Sequence, residues 1–186
     1  MSTIPPFTEE LKYSWPLNRD SLVIDVGSYE GNFSRLIAEK FGCQIWAFEP
    51  VFHEQVSALM LPKTTVFPAA LGAAQSVEEY GVKGDSTGAY ATSLERRQVT
   101  VLPVSLMYNL SHVGLIKLNC EGAEFEILEQ IIRDGKICIF DGIMVQFHHV
   151  VPQSEARREN ILIALEQTHD VIWSSPWCWE AWSIKR

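Results

Sequence analysis

Short, unbroken apolar runs alternate along this chain with stretches in which apolar residues recur every three or four positions. Leu22-Val23-Ile24, followed by Val26, forms the first run, and Ile45 to Phe48 the second. Between them Phe33, Leu36 and Ile37 stand at i, i+3 and i+4. That spacing predicts a helix over about Asn32 to Lys40, with Asn32 as its N-cap and Gly42 just past its end. Strand, glycine turn, helix and strand make one βαβ unit of about the minimum size.

The alternation continues downstream. A helix is expected after Pro50, carrying Phe52, Val56 and Leu59 and ending at Pro62. Thr64 to Leu71 is rich in β-branched and aromatic residues and predicts a third strand. Gly72 to Pro103 is the least regular part. Glu78 to Val82 and Gln98 to Leu102 have strand character, separated by the polar stretch Lys83 to Arg97. A loop of that length in a compact domain is more often functional than idle, and mobility is expected there. Val113 to Leu118 predicts a fourth strand, and Ala123 to Arg133 a helix with Phe125, Ile127, Leu128, Ile131 and Ile132 inward. Ile137 to Phe147 is apolar almost throughout, as in a central strand buried on both faces. Ser154 to Thr168 has the clearest helical period, with Ser154 as its expected N-cap.

Asp170 to Arg186 reads as two short strands around Ser174-Ser175-Pro176. Trp173, Trp177, Trp179 and Trp182 crowd this end, and core and hairpin packing is the favoured reading. Residues 1–20 hold three prolines and form a lead-in, with Phe7, Leu11 and Trp15 packing across the sheet or at a pocket mouth. The expected architecture is one doubly wound α/β domain over 21–186, with a mostly parallel, Rossmann-like sheet closed by an antiparallel β hairpin.

Composition narrows the partners. A chain of 186 residues with 47% apolar content suits one domain with a single core. A formal net charge of −8 argues against DNA or RNA as a general partner, since phosphate repulsion would go unanswered. No apolar run is long enough to span a bilayer, and MSTIPPFTEE does not read as a signal peptide. Cys43, Cys120, Cys138 and Cys178 lack metal-binding spacing, so no metal site or disulfide framework is expected. They read as thiols of a reducing compartment, and the expected location is cytoplasmic. A monomer and a homodimer both remain open.

The first turn carries the chemistry. Backbone N–H groups between a strand and a helix N-terminus face a ligand, and an acid ending the next strand can hold a ribose diol. Glu49 stands at about the expected distance from the glycines for that task. The loop reads Gly27-Ser28-Tyr29-Glu30-Gly31. A dinucleotide loop needs a glycine where Tyr29 stands, and Glu30 would repel a pyrophosphate. An NAD(P)-dependent Rossmann enzyme is therefore the weaker reading. S-adenosylmethionine carries no phosphate and has a cationic amine and sulfonium, which suit a loop containing Asp25 and Glu30.

The run VIDVGSYEGNFSRLIAEKFGCQIWAFEP resembles the cofactor motif of the FkbM-like methyltransferases, close to D-V-G-A-N-x-G-N followed by A-F-E-P. LIKLNCEGAEFEIL (115–128) resembles that family's I-K-x-D-x-E-G-x-E-x-x-x-L signature, with Asn119 where the family usually has Asp. Ala69-Ala70-Leu71-Gly72 matches its A-A-L-G step, and Gly88 to Leu94 loosely echoes a G-A-S-S-L loop. The resemblance implies a class I methyltransferase fold, S-adenosylmethionine as cofactor and a sugar or glycosylated metabolite as the methylated substrate. It also implies that the polar loop after the third strand approaches the cofactor.

Strand order places Asp25, Gly27, Ser28, Tyr29, Gly31, Asn32, Glu49, Pro50, Ala70, Leu71 and Asn119 around one cofactor cleft. Glu49 is assigned to the ribose, Ala70 and Leu71 to the adenine. Asp25 either orders the glycine loop or reaches the methionine amine through water. Transfer to a hydroxyl needs a base, worth roughly 10²–10⁴-fold. Glu121, Glu124, His148 and His149 are the candidates. Glu121 and Glu124 share a helix start, where the dipole lowers their basicity; they are either helix-start acids, with Glu124 partly solvated, or contacts for substrate or cofactor. Alternation sends His148 and His149 to opposite faces, so one should face the cleft. Asn119 cannot ionise. Asn119-Cys120-Glu121-Gly122 also lacks the N-P-P-Y pattern of amino-methylating enzymes, which leans the reaction toward oxygen. The rival from another class is a non-catalytic S-adenosylmethionine-binding or scaffold domain.

Overall fold

A computed structural model describes residues 7–186. The first βαβ unit forms as the apolar pattern predicts, with β1 at Leu22–Val26, α1 at Asn32–Phe41 and β2 at Gln44–Phe48. There follow α2 (His53–Ala58), β3 (Thr64–Phe67), β4 (Ala70–Gly72), β5 (Ser76–Gly81) and β6 (Arg96–Pro103). The second half contains β7 (Leu115–Leu118), α3 (Ala123–Arg133), β8 (Gly142–Val145), α4 (Ser154–Leu165), β9 (His169–Ser175) and β10 (Trp179–Ile184).

Seven strands form one sheet in the order β3-β2-β1-β7-β8-β10-β9. All neighbours from β3 to β8 run parallel, and the β9–β10 hairpin adds the antiparallel edge. Strand order reverses between β1 and β7, so the crevice beyond their C-terminal ends is where an open α/β sheet binds ligands. One face packs against α3 and α4 through Phe125, Leu128, Ile161 and Leu165. The other packs against α1 and the lead-in, where Phe7, Leu11 and Trp15 join Phe33, Ile37 and Trp173. The aromatic lead-in thus covers the sheet and leaves the cleft clear; its first six residues lie outside the described part of the chain.

Four local expectations change. The third strand breaks at Pro68, and its second half leaves as β4 to form a separate three-stranded sheet, β4-β6-β5. Proline has no N–H for the ladder, so pairing with β2 ends at Phe67. The apolar run Ile137 to Phe147 splits into a 3₁₀ turn at Ile137–Ile139, with Ile137 buried and Cys138 exposed, and the fully buried four-residue β8. Gly31, not Asn32, stands at the N-cap of α1, and Gln153, not Ser154, at that of α4. Trp173, Trp179 and Trp182 are core residues, while Trp177 is half-buried and stacks on His149 at 3.6 Å between centroids.

Candidate active site

Asp25 and Lys117 are register partners on β1 and β7, and both side chains are buried. Lys117 Nζ donates to Asp25 Oδ1 at 2.9 Å and to the Gly27 carbonyl at 2.7 Å. Ser34 Oγ, from the first turn of α1, donates to Asp25 Oδ2 at 2.6 Å. A buried carboxylate needs such partners, and here they tie the glycine loop to β7 from beneath. Gly27 has φ +75°, and a Cβ built on it would stand 1.9 Å from the Asn119 carbonyl oxygen. Only glycine lets these two strand ends meet so closely.

Glu49 organises the other side. Its Oε2 accepts the Tyr29 N–H at 2.8 Å, and its Oε1 accepts the N–H groups of Val51 and Phe52 at 3.0 Å each. A carboxylate offers about four acceptor directions, so three are in use and one remains, on Oε2. Tyr29 is held at φ +51°, a costly conformation for a bulky residue, with its ring edge-on to Phe52 at 5.0 Å.

These strand ends enclose a cavity of about 640 Å³, counting the space open at its mouth. Gly27, Tyr29, Glu49, Pro50, Ala70, Leu71, Asn119 and Glu121 line it. Asp25, Ser28, Gly31, Asn32, Glu124 and His148 do not. Ser28 donates to the Asp25 carbonyl, Gly31 starts α1, and Asn32 points to solvent. The Asn119 Oδ1 is sealed from bulk water and has no hydrogen-bond partner among the described residues.

Sequence reasoning missed Tyr80, Gly84, Asp85 and Thr87, which also line the cavity. They come from β5 and the polar stretch after it, which pairs back through Gly81 and Gly88. A Cβ on Gly88 would lie 2.9 Å from Glu121 Cβ, so glycine allows this loop to close on the helix start. The long polar insertion signalled the loop but not its wall residues. Lys117 was also missed, although a lysine inside an apolar run demands a buried partner.

Glu121, His148 and Glu124 form a chain behind the wall. Glu124 is fully buried rather than partly solvated. Its Oε1 meets both the N–H of His148 at 2.9 Å and its Nδ1 at 3.0 Å, while its Oε2 accepts the Gly122 N–H at 2.9 Å. His148 Nε2 lies 3.1 Å from Glu121 Oε1. Burial alone would push the imidazole pKa down, but the hydrogen bonds and charges of Glu121 and Glu124 outweigh it and raise the pKa to about 9. At neutral pH both ring nitrogens donate, and no lone pair is left to accept a hydroxyl proton. His148 is therefore a clamp on Glu121, and Glu121 is the member of the chain that reaches the cavity. His149 turns outward, exposed, with Nδ1 3.3 Å from Glu155.

Solved structures share this fold at low identity. A precorrin-6y C5,15-methyltransferase from Geobacter metallireducens GS-15 superposes with a TM-score of 0.54 at 12% identity, over 95% of this chain and 87% of that one. A Clostridium thermocellum protein described as a candidate rRNA-methylase gives 0.54 at 11%, over 99% of this chain and 100% of that one. The 23S rRNA methyltransferase ErmE gives 0.50 at 9%, over 97% and 70%. No curated protein matches the sequence significantly. The strand order, with its antiparallel closure, agrees with a class I methyltransferase sheet and departs from the all-parallel 3-2-1-4-5-6 order of dinucleotide enzymes. The family model of the methyltransferase FkbM domain matches residues 25–172, most of the chain, and the protein thus belongs to that family of S-adenosylmethionine-dependent methyltransferases.

Proposed function

We propose that this protein methylates a hydroxyl of a small molecule, a sugar or glycosylated metabolite, and that the cavity at the β1–β7 switch point holds the cofactor. The donor set suits that cofactor. The free lone pair on Glu49 Oε2 accepts a ribose hydroxyl, and Ala70 and Leu71 offer the adenine an apolar wall. Asn119 lines the cavity, and a turn of its side chain would bring the buried, unpartnered Oδ1 out as an acceptor for the cationic amine. Asp25 stays out of contact and acts by holding the loop through Lys117. Asp85 and Glu121 keep the cleft negative toward a positive ligand.

When bound, S-adenosylmethionine supplies a methyl group on a sulfonium, open to in-line attack. The observation that carries the oxygen assignment is the Glu121 carboxylate, set in the cavity wall and held from behind by His148. Two carboxylates around one imidazolium leave a net charge of −1. Uptake of the acceptor's hydroxyl proton by Glu121 cancels that charge in a partly dry site. Glu124 and His148 fix the orientation of Glu121 without touching the substrate.

A nucleic-acid acceptor is disfavoured by the charge of −8 and by acids at the cleft, because no lysine or arginine is among the described residues lining the cavity. The test is transfer of a labelled methyl group to a panel of sugars and glycosides, with RNA and casein as controls. Alkali-stable label on a sugar oxygen is expected. Label on RNA or protein alone would overturn the acceptor class while leaving the cofactor reading standing.

A further inference from the structure

A second pocket adjoins the cofactor cavity and shares Tyr80, Cys120, Glu121 and Ala123 with its wall. It measures about 370 Å³ with its open mouth. Three carboxylates line it: Glu78 from β5, Glu121, and Glu126 from α3. Arg157 is the one cation among its described lining residues, and it is already taken. Its Nε and Nη2 each lie 2.7 Å from a Glu129 carboxylate oxygen. His148 answers Glu121 from behind the wall, and Arg157, committed to Glu129, reaches Glu126 only through its field, so the annex holds more carboxylates than cations.

Tyr80 provides an independent sign of a ligand. The residue is 7% exposed and lines both pockets. Its hydroxyl makes no hydrogen bond with any described residue, yet it is not among the polar atoms sealed in the core. A phenolic O–H facing a cavity between two ligand spaces is a donor and acceptor awaiting a partner. Burial, then the surrounding acids, pushes its pKa up, so it stays protonated and able to donate.

We propose that this annex is the acceptor subsite and that it selects a hydroxyl-bearing acceptor carrying an ammonium group, such as an amino sugar, with Glu126 and Glu78 holding the cation and Tyr80 the polyol. The proposal rests on the methyltransferase reading above. The acceptor's O–H faces Glu121 where the two spaces meet. The O–CH₃ bond forms as the S–CH₃ bond breaks, the sulfonium becomes a neutral thioether, and the hydroxyl proton passes to the Glu121 carboxylate. Burial and then Glu78 push the Glu126 carboxyl pKa up, against the Ala73 backbone hydrogen bond and Arg157, and an ammonium bound beside it favours the charged carboxylate.

The test titrates the full chain, loaded with S-adenosylhomocysteine, with glucosamine, galactosamine and mannosamine and with the N-acetyl form of each. At least one free amine should bind roughly tenfold more tightly than its acetylated partner, the effect of one charge-assisted contact in a sheltered site. Glu126→Gln should remove most of that preference while S-adenosylhomocysteine binds as before; Glu78→Gln serves if the first variant does not fold. Tyr80→Phe should weaken both members of a pair. Normal S-adenosylhomocysteine binding with no amine preference, or a preference untouched by either glutamine variant, overturns the subsite alone. Failure of the folded protein to bind S-adenosylhomocysteine overturns the cofactor reading beneath it.

Discussion

Glu49 performs two tasks with one carboxylate, and the tasks separate in a variant. Three backbone N–H groups depend on it, so Glu49→Ala strands donors in both the glycine loop and the β2–α2 loop. Cofactor affinity should fall by roughly 1–3 kcal/mol, read by calorimetry with S-adenosylhomocysteine. The melting temperature should fall with it, because the acceptor is lost with or without ligand. Unchanged affinity would remove Glu49 from the ribose, and unchanged melting would mean the loops do not rely on it. The buried pair beneath makes a sharper case. Lys117→Met leaves Asp25 charged and fully buried with only Ser34 as a side-chain donor, which should cost about 3–5 kcal/mol in urea unfolding. A cost below about 1 kcal/mol would show that water reaches Asp25. The acid at the end of the second strand was legible in the sequence because its position alone implies its role. The partner of Asp25 was not, because pairing across β1 and β7 depends on register.

Elements formed by local periodicity were legible almost to their ends. The bounds of α3 match the expected helix, and β1, α1 and β2 fall where the apolar runs place them. The small sheet was not legible, because Thr64 to Leu71 has uniform strand character and only Pro68 marks the change of partner. Nor did the apolar run at Ile137 to Phe147 reveal its split, since a 3₁₀ turn that turns Ile137 inward and a buried strand draw on the same apolar residues. The catalytic candidates show the same division. Glu121 and Glu124 were placed correctly at a helix start, but their opposite environments follow from His148, which arrives from the end of β8. The contact between the ends of β1 and β7 is the element-level feature most open to test. Gly27→Ala meets the Asn119 carbonyl and a positive φ together, and backbone cannot step aside as a side chain can. The variant should lose S-adenosylhomocysteine binding and unfold at lower denaturant. Wild-type behaviour would show that the two strand ends stand further apart.

Across the whole molecule, acids outnumber bases, and the site concentrates that excess around one imidazolium. The folded pKa of His148 lies near 9, above its ordinary value of 6.5. Between those values the folded protein keeps a proton that the unfolded chain releases. The stabilisation is therefore complete below about pH 6.5 and declines as pH rises through about 9. Its full size is on the order of 3 kcal/mol, from about 1.4 kcal/mol for each pH unit of difference. Tyrosines, cysteines and lysines also titrate toward alkaline pH, so the informative quantity is the stability gap between wild type and His148→Gln. That gap should be widest near pH 6 and should narrow by a few kcal/mol by pH 10, where the wild-type imidazole is neutral as well. Methyl transfer should lose its Glu121 orientation over the same range, so the catalytic profile and the stability gap should fall together. A gap constant from pH 6 to pH 10 would mean that His148 is neutral throughout, and a neutral histidine could once more serve as the base.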